Sequence, residues 1–278
     1  MAGGWQVGPQ LANPENVGAV PASTNPSTVY SSDTAFVKGP WLQLIAATAS
    51  DTAWVLVQLE KPGGTTCALD IAIGAAGSEF VVLANLSLSG TGDLPAQYFF
   101  PLVIPAGTPV SARFASDQPF YGANINLTLF ADGALSGGGG SAIDTYGFNV
   151  AAGVGTPVDP GATVNKMGAF AQLTASVTND LAGFFLAFDG QDGQNGSGES
   201  ACTLMQLAIG AAGSEKIILP YFYNTTFSYS GFVTVLNVNS PYFPFPIRAG
   251  SRVAVRMQSQ TNVNPDRLMG VTLYGVRQ

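Results

Sequence analysis

The octapeptide AIGAAGSE occupies Ala72–Glu79 and returns unchanged at Ala208–Glu215. Self-similarity over such a distance means two copies of one structural unit, and no other feature narrows the fold as far. The match extends on both sides. Trp41–Leu44 corresponds to Phe170–Leu173, Ser50-Asp51 to Asn179-Asp180 and Val55–Val57 to Phe184–Leu186. Pro101–Gly107 corresponds to Pro244–Gly250, Val110–Arg113 to Val253–Arg256 and Leu127–Phe130 to Val271–Tyr274. The offset grows from 129 residues (Trp41 to Phe170) to 144 (Leu127 to Val271). The extra residues fall at Asp189–Glu199 (DGQDGQNGSGE) and within Tyr221–Tyr242. Loops absorb insertions at little cost to a core, so this is the pattern expected of two copies of one β-fold.

Upstream, Asn25–Val29 resembles Asp159–Val164, and Gly4–Val7 loosely resembles Gly147–Val150. Each copy is therefore expected to begin with an irregular arm. The expected boundaries are an N-terminal arm at 1–30, a first β-sandwich at 31–132, a Gly-rich linker (Ser136–Ser141) and second arm at 133–166, and a second sandwich at 167–278.

Short runs rich in Val, Ile, Thr, Phe and Tyr alternate with turns drawn from 34 Gly and 18 Pro. Such runs favour strands, and no stretch keeps a capped 3.6-residue apolar period. The expected fold is all-β: two tandem duplicated, jelly-roll-like β-sandwich domains with an irregular N-terminal arm. Gly74–Gly77 between two strand runs predicts a tight turn with positive φ at glycine.

Only 10% of the residues are charged, whereas an average domain carries about 25%. That scarcity implies a surface partly covered by partners. The net charge is −7, with no basic stripe, which argues against nucleic acid as a partner. No run reaches the ~18 apolar residues of a membrane helix, and the first residues do not read as a cleaved leader, so a soluble, non-exported, non-membrane protein is expected. Cys67 and Cys202 each lie just before the shared octapeptide and read as buried free thiols at matching places.

The chain has no histidine. That removes Ser-His-Asp and Cys-His catalysis and histidine-ligated zinc. Paired carboxylates remain the one catalytic option, with Asp51/Asp180, Asp70, Glu79/Glu215 and the Asp189–Glu199 loop as candidates, but their spacing selects no pair. Glu79 and Glu215 read best as turn-end carboxylates that accept backbone N–H bonds or pair with an arginine. Asp189, Asp192, Asn195 and Glu199 could offer oxygens to calcium, yet Asn195-Gly196 more simply marks a hairpin. No catalytic residue, metal site or cofactor is assigned. Trp41 and Trp54 lie at strand positions and read as core. Trp5, Tyr221, Tyr223 and Tyr242 are the candidate ligand or interface residues.

Thr163–Leu173, Ala208–Glu215 and Ile247–Gly250 resemble a group of tailed-bacteriophage virion proteins. The resemblance covers most of both copies, and its motifs are turns and strands. It implies a non-enzymatic structural protein located in the virion, either a capsid decoration or a tail-associated subunit, with phage capsid or tail proteins as partners. Two similar domains per chain would let three chains present six sandwiches, so a homo-oligomer, with a trimer favoured, is expected. The alternative is a tail-fibre or receptor-binding module that adheres to a host surface glycan.

Overall fold

The computed structural model describes residues 15–17, 27–60, 66–87, 96–131, 140–189, 201–229, 232–235, 240–263 and 267–278. Among these residues there are strands and turns but no helix. The first copy carries β1 (Glu15–Val17), β2 (Ser27–Tyr30), β3 (Leu42–Ile45), β4 (Thr52–Glu60), β5 (Cys67–Ile73), β6 (Phe80–Ser87), β7 (Ala96–Phe100), β8 (Val110–Ser116) and β9 (Gly122–Ala131). The second carries β10 (Ile143–Tyr146), β11 (Phe148–Asn149), β12 (Val154–Val158), β13 (Ala171–Thr174), β14 (Leu181–Asp189), β15 (Ala201–Ile209), β16 (Lys216–Tyr229), β17 (Phe232–Val235), β18 (Val253–Ser259) and β19 (Met269–Arg277).

The same pairing plan is drawn twice. In the first copy β9 takes β4, β1 and β2 as partners; in the second β19 takes β14, β10 and β12. The ladder β3-β8-β5-β6 is repeated as β13-β18-β15-β16. The shared octapeptide makes the same turn each time, with φ of 110° and 82° at Gly74 and Gly77 and of 112° and 82° at Gly210 and Gly213. Only glycine adopts these values without strain, which is why the turn kept its residues. The segment expected as linker and second arm contains β10, β11 and β12, and residues 15–17 and 27–30 likewise pair as strands.

Pairing also corrects the sequence alignment. Val55 lies opposite Leu129, and its counterpart Phe184 lies opposite Gly275. Leu127 therefore corresponds to Leu273, two residues beyond the sequence match. Upstream, Gly39 packs on the Tyr30 carbonyl and Gly168 on that of Asp159, so Asp159 is the partner of Tyr30 and not of Asn25. Cys67 pairs with Ser116, whereas Thr203 pairs with the equivalent Ser259. The two cysteines are thus one residue out of step, and a one-residue step reverses the face. Cys67 is buried, Cys202 only half-buried, and neither forms a disulfide.

The sandwiches are fused. One nine-stranded sheet runs from β3 through β8, β5 and β6 of the first copy into β10, β19, β12 and β11 of the second, with β14 also on β19. The join is a parallel bridge between Ile143 and Leu83. The strands β14 and β19 are apolar on both faces. Phe184, Leu186, Phe188, Val271 and Leu273 enter the second copy's core, whereas Phe185, Ala187, Tyr274 and Val276 enter the first copy's. The corresponding β9 instead alternates, with Ile125, Leu127 and Leu129 inward and the residues between them facing out. Continuous apolar runs mark a strand covered on both sides, and alternation marks one solvated face.

The close approach of the upstream chain generates a test. A Cβ on Gly39 would lie 2.0 Å from the Tyr30 carbonyl oxygen, and one on Gly168 would lie 2.7 Å from that of Asp159. Both clashes are with backbone. Gly39→Ala and Gly168→Ala are each expected to cost about 2–3 kcal/mol in urea unfolding. Gly77→Ala, strained in φ but with open space around it, is expected to cost about 1 kcal/mol. Neutral behaviour at Gly39 or Gly168 would contradict the tight crossing.

Candidate functional site

Asp51, Asp70, Asp180 and Glu215, singled out from sequence, are engaged in holding the fold. Asp51 accepts the Ala106 N–H and Asp180 the Ala249 N–H, each at 2.8 Å, so they pin the same turn in the two copies. Glu215 accepts the Gly213 N–H at 2.9 Å and pairs with Arg252 at 3.1 Å. Backbone hydrogen bonding and the arginine hold its carboxyl below the usual range. Asp70 is buried and takes Lys38 on one oxygen and Arg113 on the other, both at 2.8 Å, together with the Asn85 N–H. In the second copy the counterpart is neutral: Gln206 accepts from Arg256 at 2.8 Å. Among the described residues no group of three or more acidic or thiol side chains could hold a metal ion.

Trp41 and Trp54 are not core residues. The Arg113 guanidinium lies over the Trp41 ring, 4.4 Å from its centroid, and Arg256 repeats this over Phe170 at the same distance. Trp54 sits out of phase with the inward Val55 and Val57 of β4, which puts it on the outer face of its sheet.

The candidate interface residues do not form one site. Trp5 and residues 190–200, which include Asp192, Asn195 and Glu199, lie outside the described residues. Tyr221 and Tyr223 are exposed on one face of β16, while Phe222 between them packs at the second core. The Tyr223 hydroxyl donates to the Cys202 sulfur at 2.7 Å. Tyr242 is half-buried against the first core, 5.0 Å from Phe185. It belongs to a different surface from the tyrosine pair.

That surface is a cleft of about 570 Å³ where the two copies meet. The first copy contributes Trp54 and Leu56 from β4 and Gln97–Phe100 from β7; the second contributes Phe185 and Ser240–Tyr242. Trp54 and Phe99 stack with centroids 4.7 Å apart and planes 17° apart. Phe130 meets Phe99 edge-on at 5.6 Å, which holds the stack upright. Ser240 is buried, accepting the Leu186 N–H and donating to the Pro241 carbonyl, each at 2.8 Å. Sequence reasoning missed this cleft because its walls lie in different copies. The one available signal was Trp54 falling out of phase with the inward residues of its strand.

A second feature lies at the junction. Asp189, at the end of β14, is wholly buried. One carboxylate oxygen accepts the Gly155 N–H at 2.8 Å, and the other has no hydrogen-bond partner among the described residues. The Ser87 hydroxyl is near enough to favour the ionised form without reaching hydrogen-bond geometry. The neighbouring phenols are committed elsewhere. Tyr98 donates to the Ser87 carbonyl at 2.6 Å, and Tyr274 donates to the Asn85 carbonyl at 2.9 Å and accepts the Ser87 N–H at 2.7 Å. Burial pushes the Asp189 carboxyl up to about 7, and the Gly155 N–H bond offsets only part of this. Burial raises Tyr98 and Tyr274 as well.

No family model matches the chain, and no curated protein matches it. Two solved structures of PNGF-II, in C2 and P21 space groups, align with 95% and 96% of this chain at 9% identity, with TM-scores of 0.36 and 0.35. The chain spans 65% and 64% of their length, under two thirds. A likeness this slight carries no argument about this chain.

Asp189 sets a pH dependence. Its folded value, about 7, lies above the ordinary 3.8. Its contribution to stability is therefore fully present below pH ~4 and is lost as pH rises through ~7, by on the order of 4 kcal/mol. Urea unfolding across this window should show the stability of the native chain falling relative to Asp189→Asn, whose amide does not titrate. Parallel profiles for the two proteins would refute the assignment.

Proposed function

We propose that the chain is a non-enzymatic structural subunit of a tailed-phage particle, a capsid decoration or tail-associated protein that packs into a symmetric homo-oligomer. The observation that carries this reading is the surface. Phe120 is 72% exposed, Tyr221 64%, Tyr30 58%, Tyr223 56% and Phe80 54%. With so few charges in the chain, these side chains are the kind of apolar surface that partners cover. Tyr30 and Phe120 line one recess at the end of the first copy, beside Lys38 and Asp33. An aromatic anchor flanked by charges is a common form of protein contact. The duplication also supports the reading, because two similar units per chain suit sites of doubled local symmetry.

Of the carboxylates considered for catalysis, Asp51 and Asp180 hold turns, and Asp70 and Glu215 are held in ion pairs. The rival reading, adhesion to a host glycan, has the exposed Tyr221/Tyr223 pair in its favour. It requires glycan binding that disappears in Tyr221→Ala and Tyr223→Ala.

The structural reading predicts that the chain is found in purified particles by mass spectrometry. It also predicts concentration-dependent association in sedimentation equilibrium, with a trimer favoured. Phe120→Ser and Tyr221→Ser should weaken association by roughly tenfold or more where the residue lies at the centre of the interface. A chain that stays monomeric at every concentration and is absent from particles would overturn the proposal.

A further inference from the structure

We infer that the second copy presents a socket for the first copy of another chain, so that chains join head to tail by repeating their own internal seam. The inference rests on the structural reading above and names the surfaces it would use. The seam is the template. In the first copy Leu86, Phe100 and Leu102 mark the edge of the core, and all three are buried. The second copy closes that edge. Phe185 and Tyr274 meet the Phe100 ring edge-on at 5.1 and 6.2 Å, and Leu102 bridges to Gly140.

Strand pairing gives the counterparts in the second copy. Val55 pairs with Phe100 and Phe184 with Phe243, so Phe243 answers to Phe100 and Phe245 to Leu102. Leu69 pairs with Leu86 and Met205 with Phe222, so Phe222 answers to Leu86. Here the edge stands open: Leu102 is 1% exposed but Phe245 is 45% exposed, and Phe222 and Phe243 are half-buried. The three rings touch in series, with centroids 5.9 and 6.4 Å apart, and form one aromatic row. Tyr221 holds the position of Asn85, whose carbonyl receives the Tyr274 hydroxyl across the seam. Pro220 stands where Ala84 does, so side-chain packing rather than a shared ladder carries the contact.

The matching plug lies on the first copy. Phe185, Val276 and Tyr242, which the second copy packs at the first core, answer to Leu56, Phe130 and Phe99. Phe99 is exposed, stacked on Trp54 and braced by Phe130. Along β4 and β9 the outward apolar residues gather at this end, whereas Gln58, Asn124 and Asn126 occupy the other. A gathered apolar patch on a chain so poor in charge is a surface that a partner covers. Plug and socket lie on different copies, so the contact is heterologous and each chain uses each surface once. Three chains closing in this way would form a ring of six sandwiches.

The test uses the full chain in its native form, as Phe245→Asp in the socket and as Phe99→Asp in the plug. Sedimentation equilibrium supplies the readout. Both positions are exposed, so the added charge spares the core. The native chain is expected to associate, and each variant alone to do so roughly tenfold or more weakly. An equimolar mixture of the two variants is expected to associate more tightly than either alone, yet to stop at a 1:1 pair. The intact socket of one then holds the intact plug of the other, and only damaged surfaces remain. Tyr221→Asp with Leu56→Lys repeats the experiment at separate positions and decides it should a first variant unfold. Variants that associate like the native chain, or mixtures no tighter than their components, would overturn the inference. Association that survives all four substitutions but is lost in Phe120→Ser would sink this contact and leave the structural role standing. So would a native chain that is monomeric yet present in particles.

Discussion

The two-sided burial of β14 and β19 is the constraint on which the molecule depends. Each strand sends alternate side chains into different cores, Phe184 and Leu273 into one and Phe185 and Tyr274 into the other. Burying a large apolar side chain stabilises by about 1.5–3 kcal/mol, so this pair of strands contributes to both halves at once. The first copy closes its interior partly with the second copy's residues. The two are therefore not beads on a string, and neither sandwich is complete at its shared face without the other.

Fusion explains where the copies diverge. Their turns remain alike because backbone geometry dictates them: Asp51 and Asp180 pin equivalent amides, and Arg113 and Arg256 cover equivalent aromatic rings. The junction is different. Asp70, held by Lys38 and Arg113, also binds the Asn85 N–H, and the Asn85 carbonyl receives the Tyr274 hydroxyl. A buried ion pair in the first copy is thereby linked to a core tyrosine of the second. Such a charge cluster is costly to desolvate and is tolerated when its members are fully bonded. In the second copy, Gln206 and Arg256 meet without the buried anion.

Much of this was legible in the sequence, and the limits have physical reasons. Composition and the repeated octapeptide were enough for an all-β duplicated chain, because turn glycines and alternating strands leave local marks. Fusion left a mark too: LAGFFLAF in β14 is continuously apolar where AWVLVQL in β4 alternates toward its end. Register was harder to read. A shift of two residues preserves the inward and outward pattern, so Leu127 could be matched to Val271 as readily as to its true counterpart Leu273. A shift of one residue misled the pairing of Cys67 with Cys202. Trp54 was read as core because aromatic residues at strand positions usually are, whereas its phase relative to Val55 and Val57 points outward.

The cleft and the buried Asp189 were beyond sequence reading for one shared reason. Each joins residues far apart along the chain, Phe99 with Tyr242 in the first case and Ser87 and Gly155 with Asp189 in the second. Each draws residues from both copies, Phe99 and Tyr242 in the cleft and Ser87 and Asp189 in the interior. Joining the two copies along one sheet thus creates a surface and an interior to which both contribute. Residues at such a seam are released from the constraint of serving two identical environments. The turns and ladders are the poorest places to look for what this chain does beyond folding, and the seam is the best.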